Sequence, residues 1–254
     1  LGGAGALDVL EDLGEHSLLV GREGRLDLLM PVRDYGEERL VELGLERDAC
    51  SRHGAWLGRY GRRHVWGIAG PAQMRAARAR EADRQNLAAA VVRCPGEVGA
   101  LAALGAAPWL RWRGHLAEGL TLLTTALASA PPNLAPALLV ERVGMRTDAG
   151  DLDGAGEDLE RLAQLPLPEH LRARVAHEAG CRLVVLEAYE EARACLEQAR
   201  DLLEDLGRST GRTELSLGAV HRLAGRLDEA EAAMAAVDPT FVGALESRGS
   251  YHPS

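Results

Sequence analysis

The chain of 254 residues contains no lysine; all 29 of its basic side chains are arginine. That absence removes whole classes of chemistry. A Walker A loop needs a lysine to reach nucleotide phosphates, and a protein kinase needs one on its ATP-binding strand. Schiff-base formation and the Ser-x-x-Lys nucleophile pair need one as well. The simplest source of the exchange is a GC-rich genome. Aromatic residues are scarce too, at 4%, with Phe241 the only phenylalanine, and Ile68 is the only isoleucine. No apolar run approaches the ~20 residues of a membrane span. No basic-then-apolar leader opens the chain, which starts on leucine and so fits a start inside a longer reading frame. Cys50, Cys94, Cys181 and Cys195 are scattered without a C-x-x-C pair, which points to reduced thiols in the cytoplasm rather than a disulfide scaffold.

Leu and Ala make up about a third of the chain, and both are strong helix formers. The fold class expected is mainly α. The 38 acids leave a net charge of -9, unevenly spread. Residues 1–46 carry -7, residues 47–85 carry +6, and the remainder carries -8. A basic segment between acidic neighbours suits an intramolecular dock better than a nucleic-acid face, which wants a basic domain.

Three segments follow from the patterning. In 1–44, Leu7, Leu10 and Leu13 space as a helix face. Strands over 17–20 and 25–30 flank a turn at Gly21–Gly24. Pro31 then opens a helix over 32–43 that stops at Gly44. In 45–95, a helix over 45–60 presents Ala49, His53, Trp56, Leu57 and Tyr60 on one face. A loop over 61–70 and a long helix over 71–92 lead to a break at Pro95-Gly96.

Residues 96–254 read as helix pairs. Turns start at Gly114, Gly150, Glu187 and Gly225, spaced 36, 37 and 38 residues apart. A small residue sits five positions after each start, and an apolar one (Leu123, Leu159, Leu196, Met234) four further on. That period marks a helical-hairpin repeat, about four units long, with small residues where two helices cross. Gly180 and Gly218, each seven residues before a turn start, are the expected close-approach points. Pro108 lies inside the first repeat's first helix, where it should kink the helix.

Leu217-Gly218 with Gly225-Arg-Leu-Asp-Glu-Ala230, and Gly180 with Tyr189, Ala192, Leu196 and Ala199, resemble tetratricopeptide repeats. The stretch 10–19, then Leu28–Arg33, Tyr35 and Glu38–Leu40, resembles the winged-helix end of bacterial NB-ARC-type signalling ATPases, the AfsR-like and LuxR-like regulators. Residues 81–90 resemble that family's helical linker, and 109–123 its entry into the repeats. The resemblance implies a partial winged helix with a short β-hairpin, a linker, and an α-solenoid of tetratricopeptide-like hairpins. It implies a module that senses a signal and restrains an attached or upstream P-loop ATPase. The nucleotide-binding domain and a complete DNA-binding output domain have no counterpart here, so ATP and promoter binding do not carry over.

Several motifs mimic chemistry without its context. Gly207-Arg-Ser-Thr-Gly211 spells a nucleophile elbow, but an amphipathic helix precedes it where a strand is required. Asp151, Asp153, Gly154 and Glu160 fit positions 3, 5, 6 and 12 of an EF-hand loop whose first position is Ala149. His177 and Cys181 form half of a metal pair without a second half. Gly2-Gly-Ala-Gly5 is too short for a dinucleotide loop. Trp109 and Trp112 read as packing residues before interface anchors. No catalytic residue, metal or cofactor is expected.

In tetratricopeptide repeats the first helix of each hairpin lines a concave groove. The register places Arg111, Trp112, Thr147, Asp148, Arg174, His177, Arg212 and Arg222 there. Guanidinium forks suit an acidic peptide or protein segment; the bland reading pairs these arginines with acids of the repeats themselves. The function expected is a non-catalytic protein–protein interaction and regulatory module, cytoplasmic, without membrane contact. The alternative is a nucleic-acid-binding regulator using the hairpin and the basic 47–85 segment.

Overall fold

Ala and Leu dominate the sequence between its glycine turns, and helix is what forms there. The structure, a computed structural model, describes residues 4–22, 25–64 and 81–237. The expected loop after residue 64 and the first part of the helix over 71–92 lie outside the described residues, as does Gly2-Gly-Ala-Gly5 in part. The chain divides into two compact units, Leu1–Arg52 and His53–Ser254.

The first unit holds α1 (Ala4–Glu15), an antiparallel hairpin of β1 (Leu19–Arg22) and β2 (Arg25–Leu28), and α2 (Met30–Glu42). Strand pairing runs from Leu19 opposite Leu28 to Arg22 opposite Arg25. The strand therefore continues through the two residues expected to begin the turn. Pro31 sits in the first turn of α2, as its fixed φ and missing N–H favour. Among its described side chains none is buried, and Leu7, Leu26, Met30 and Tyr35 are all more than half exposed.

Helix α3 (Glu46–His64) runs four residues past its expected end and enters the second unit. Its buried face is Gly54, Leu57 and Gly58, while His53 and Trp56, expected on that face, are exposed. The two glycines explain the shift. A Cβ on Gly54 would lie 2.1 Å from Val98 Cγ1, and one on Gly58 3.4 Å from Leu101 Cβ. Close approach to the helix that starts at Glu97 thus rotates the small face inward. The linker helix is interrupted at the buried Asp83 before α4 (Arg84–Arg93) resumes. Helix α4 belongs to the second unit's core through Leu87, Ala90 and Val91. Arg84 on α4 ion-pairs with Glu118 of α6, with Nε donating at 3.0 Å.

From Gly96 on the helices come in pairs: α5 (Glu97–Trp112) with α6 (Leu116–Leu127), α7 (Ala135–Asp148) with α8 (Leu152–Ala163), α9 (Glu169–Val185) with α10 (Tyr189–Asp205), α11 (Gly211–Leu223) with α12 (Leu227–Ala235). Pro108 lies inside α5, which continues through it to Trp112. The four turn starts share one geometry. Gly114, Gly150, Glu187 and Gly225 all have positive φ, between 61° and 79°. The following N–H reaches back to a carbonyl five residues earlier: His115 to Leu110, Asp151 to Arg146, Ala188 to Leu183, Arg226 to His221, at 2.8–3.0 Å. This is the Schellman stop repeated four times; it satisfies carbonyls that a helix end leaves open.

Within the pairs the small residues work as spacers. A Cβ on Gly180 would meet Leu196 at 2.7 Å, and one on Gly218 would meet Met234 at 3.1 Å. Leu123, Leu196, Ala155, Ala192, Ala126, Leu162 and Ala199 are fully or almost fully buried. The first helices also touch one another in sequence, α5 with α7, α7 with α9, and α9 with α11. No comparable contact joins α6, α8, α10 and α12 to one another among the described residues.

Candidate functional site

The first helices carry charge where they run side by side. Arg111 sits in the last turn of α5, Asp148 ends α7, Glu178 lies in the middle of α9, and Arg212 starts α11. These four residues form one ion network. Arg111 Nε and Nη2 donate to the two Asp148 oxygens at 2.6 and 3.1 Å. Arg111 Nη1 donates to both Glu178 oxygens at 2.9 and 3.0 Å, and Arg212 Nη2 donates to Glu178 Oε1 at 3.1 Å. Glu178 is the node, with a side chain only 3% exposed. The room for it comes from Gly144 of α7, where a Cβ would stand 2.0 Å from Arg111 Nη1 and 2.5 Å from Glu178 Oε2.

Electrostatics decides the charge states. Burial pushes the Glu178 carboxyl upward, but Arg111 and Arg212 outweigh it and hold the group well below the usual carboxylate range. Burial disfavours the Arg111 cation, and Glu178 and Asp148 outweigh that in turn. His177, next in sequence, is buried and donates to or accepts from Thr213 Oγ1 at 3.2 Å. Its burial, reinforced by Arg212, lowers its pKa to about 3. Cys181 lies 3.6 Å from His177 Nε2, and burial followed by the nearby Glu178 raises its thiol to about 11. A neutral imidazole beside a protonated thiol is not an activated nucleophile pair.

The other expected groove residues fall as follows. Arg174 ion-pairs with Glu141 of α7, itself nearly buried. Trp112 packs half-buried against the large core around α5. Thr147 is buried, with its hydroxyl lacking a hydrogen-bond partner among the described residues. Arg222, further along α11, is not with the rest; it lines a separate groove between α11 and α12. Thus Arg111, Asp148 and Arg212 come together, Arg174 and His177 flank them, and Arg222 does not. For the arginines at 111, 174 and 212 the neighbouring acids of other helices are the partners. Arg212, 56% exposed, makes a single side-chain bond, to Glu178, among the described residues and keeps donors free there.

A second buried ion cluster ties α7 to α8. Arg142 grips Asp158 with two bonds at 2.7 and 2.6 Å, and Arg146 and Arg161 approach the same carboxylate at 3.1 and 3.6 Å. The residues that mimic a calcium loop have helix-building roles here. Asp151 caps α8 by accepting from Gly154 N–H at 3.0 Å and faces Arg146. Among the described residues no group of three or more His, Cys, Asp or Glu side chains could hold a metal ion. The Gly207–Gly211 stretch links helix α10 to helix α11, where Ser209 Oγ accepts from Gly211 N–H at 3.4 Å. No described helix is long and apolar enough to cross a membrane.

Glu178 and Gly144 were not among the residues expected at the site. The signal for Glu178 was its position seven residues after Leu171, within the buried stripe of α9 that also holds Ala173, Ala176 and Gly180. Gly144 had no such signal, because its partners come from helices far away in sequence.

No family model matches the chain, and no curated protein matches it. Among solved structures it is similar to the crystal structure of BtubC (BKLC) from P. vanneervenii, at 17% identity over 81% of this chain and 94% of that one, with a TM-score of 0.36. A likeness of that size carries no argument about fold or function.

Proposed function

We propose that this chain is a non-catalytic docking module, an α-solenoid of tetratricopeptide-like hairpins preceded by a winged-helix-like segment. In this reading it belongs to the sensing and restraining part of a bacterial signalling ATPase or transcriptional regulator. The observation that carries the reading is the ion network along the first helices. It ties α5, α7, α9 and α11 to one another through Glu178 and so pre-organises one face. The face is nearly charge-balanced: Arg111, Arg174 and Arg212 oppose Asp148, Glu141 and Glu178. A partner therefore docks by competing for the free donors of Arg212, and an acidic peptide or protein segment suits that donor set.

The nucleic-acid alternative is weaker. Two arginines of the basic 47–85 segment, Arg52 and Arg84, are engaged with Asp48 and Glu118.

Affinity capture with the full chain tests the docking reading. Arg212→Gln should abolish capture of its partner while leaving the melting temperature within a few degrees. Arg193→Gln, on a second helix, should leave capture intact. Equal capture by both variants and the unmodified chain sinks the first-helix face as the docking surface.

A further inference from the structure

The α11/α12 hairpin presents a face that the preceding hairpin keeps covered. The turn residues Glu187 and Gly225 bring the two hairpins into register at a spacing of 38 residues. In that register Gly218 matches Gly180, Ala219 matches Cys181, Arg222 matches Val184, and Met234 matches Leu196. On the α9/α10 pair, helix α11 covers these positions. Thr213 reaches His177 at 3.2 Å and Ser216 reaches Cys181 at 3.9 Å. Leu196 is fully buried in a cluster with Leu217 and Val220. On the α11/α12 pair the matching groove, lined by Leu215, Ala219, Arg222, Leu227, Glu231 and Met234, is open among the described residues. Leu227 is 66% and Met234 50% exposed.

Charge says what fits. Arg222 and Glu231 both line this groove, and neither side chain has a hydrogen bond or ion pair among the described residues. An acidic helix would satisfy Arg222 and be repelled by Glu231, and a basic helix the reverse. A surface with an apolar centre and one charge of each sign is complementary to itself. We propose that the α11/α12 face pairs with the same face of a second copy of this chain, about a twofold axis. Arg222 of each copy then meets Glu231 of the other, around apolar contacts through Leu227 and Met234. The second copy takes the place that α11 takes on the preceding hairpin. Arg212 lies on the other network, so pairing and partner capture fail independently.

Sedimentation velocity on the full chain over a concentration series tests this. A monomer–dimer equilibrium is expected. Arg222→Glu and Glu231→Arg should each raise the dissociation constant about tenfold or more. The double swap Arg222→Glu/Glu231→Arg should restore the dimer, a signature that misfolding cannot produce. A chain that stays monomeric at every concentration overturns the proposal, as does a dimer indifferent to the single reversals or not recovered by the double swap. A monomeric full chain whose version ending at Val237 dimerises assigns the groove to residues 238–254 and overturns it too.

Discussion

Replacing Glu178 with glutamine keeps its shape and removes one charge from the centre of the first-helix network. Two guanidinium groups then lose their shared counter-charge. Arg111, with a side chain 14% exposed, keeps both bonds to Asp148. Arg212, 56% exposed, turns back to water at little cost. The loss therefore concentrates on the doubled Arg111–Glu178 contact. Hydrogen bonds to charged groups contribute ~1.5–3 kcal/mol, and orphaning a buried ion costs ~3–5 kcal/mol. With Asp148 retained, Glu178→Gln should lose about 2–4 kcal/mol, whereas Arg212→Gln should lose at most about 1 kcal/mol. The assay is urea unfolding followed by circular dichroism, with the double variant closing the cycle. The pH dependence supplies a second readout. The folded carboxyl is held below its unfolded value of ~4.3, so its stabilisation is present above that pH and is lost as the solution is acidified through the folded pKa. Glutamine should flatten this acid limb. A Glu178→Gln variant within about 0.5 kcal/mol of the parent at neutral pH would refute the reasoning.

Other consequences are open to the same measurements. His177 stays neutral when folded to about pH 3, while the unfolded chain takes up its proton near ~6.5. Stability should therefore fall as the pH drops from ~6.5 toward 3, by up to about 4 kcal/mol from this group, and His177→Asn should remove the part of the slope above ~4.3, where Glu178 does not yet contribute; an unchanged slope there contradicts it. Gly144→Ala drives a methyl into the Arg111–Glu178 pair and should destabilise by about 1–3 kcal/mol in urea unfolding, so a neutral result means the pair has room to move. Glu187 holds a left-handed φ of 61° where the three other turns have glycine, so Glu187→Gly should stabilise by about 1 kcal/mol. A thermal melt showing a loss instead would mean that the glutamate side chain compensates its strain.

The parts of the fold that depend on neighbours in sequence were legible. The turn residues at 114, 150, 187 and 225 stop their helices by a local motif, and the small residues at 180 and 218 mark crossings within one hairpin. What depends on long-range register was not. Arg111 meets Glu178 across 67 residues, and no helical periodicity relates them. The same limit applies to Arg222 and Arg212: both lie on α11, and only the packing of α12 shows that they face different surroundings. On α3 the periodicity favours Trp56 and His53, but Gly54 and Gly58 admit the Val98 and Leu101 side chains, and the small face is the inner one. At the calcium mimic and the elbow mimic, the flanking helices were readable, and they assigned those residues to helix ends.

The docking claim is tested most directly by amide hydrogen exchange on the chain alone and with its captured partner. The account predicts that the partner slows exchange at the end of α7, across α9 and at the start of α11, around Asp148, Glu178 and Arg212. Protection confined to α6, α8 and α10, or to the β-hairpin and α2, would contradict it.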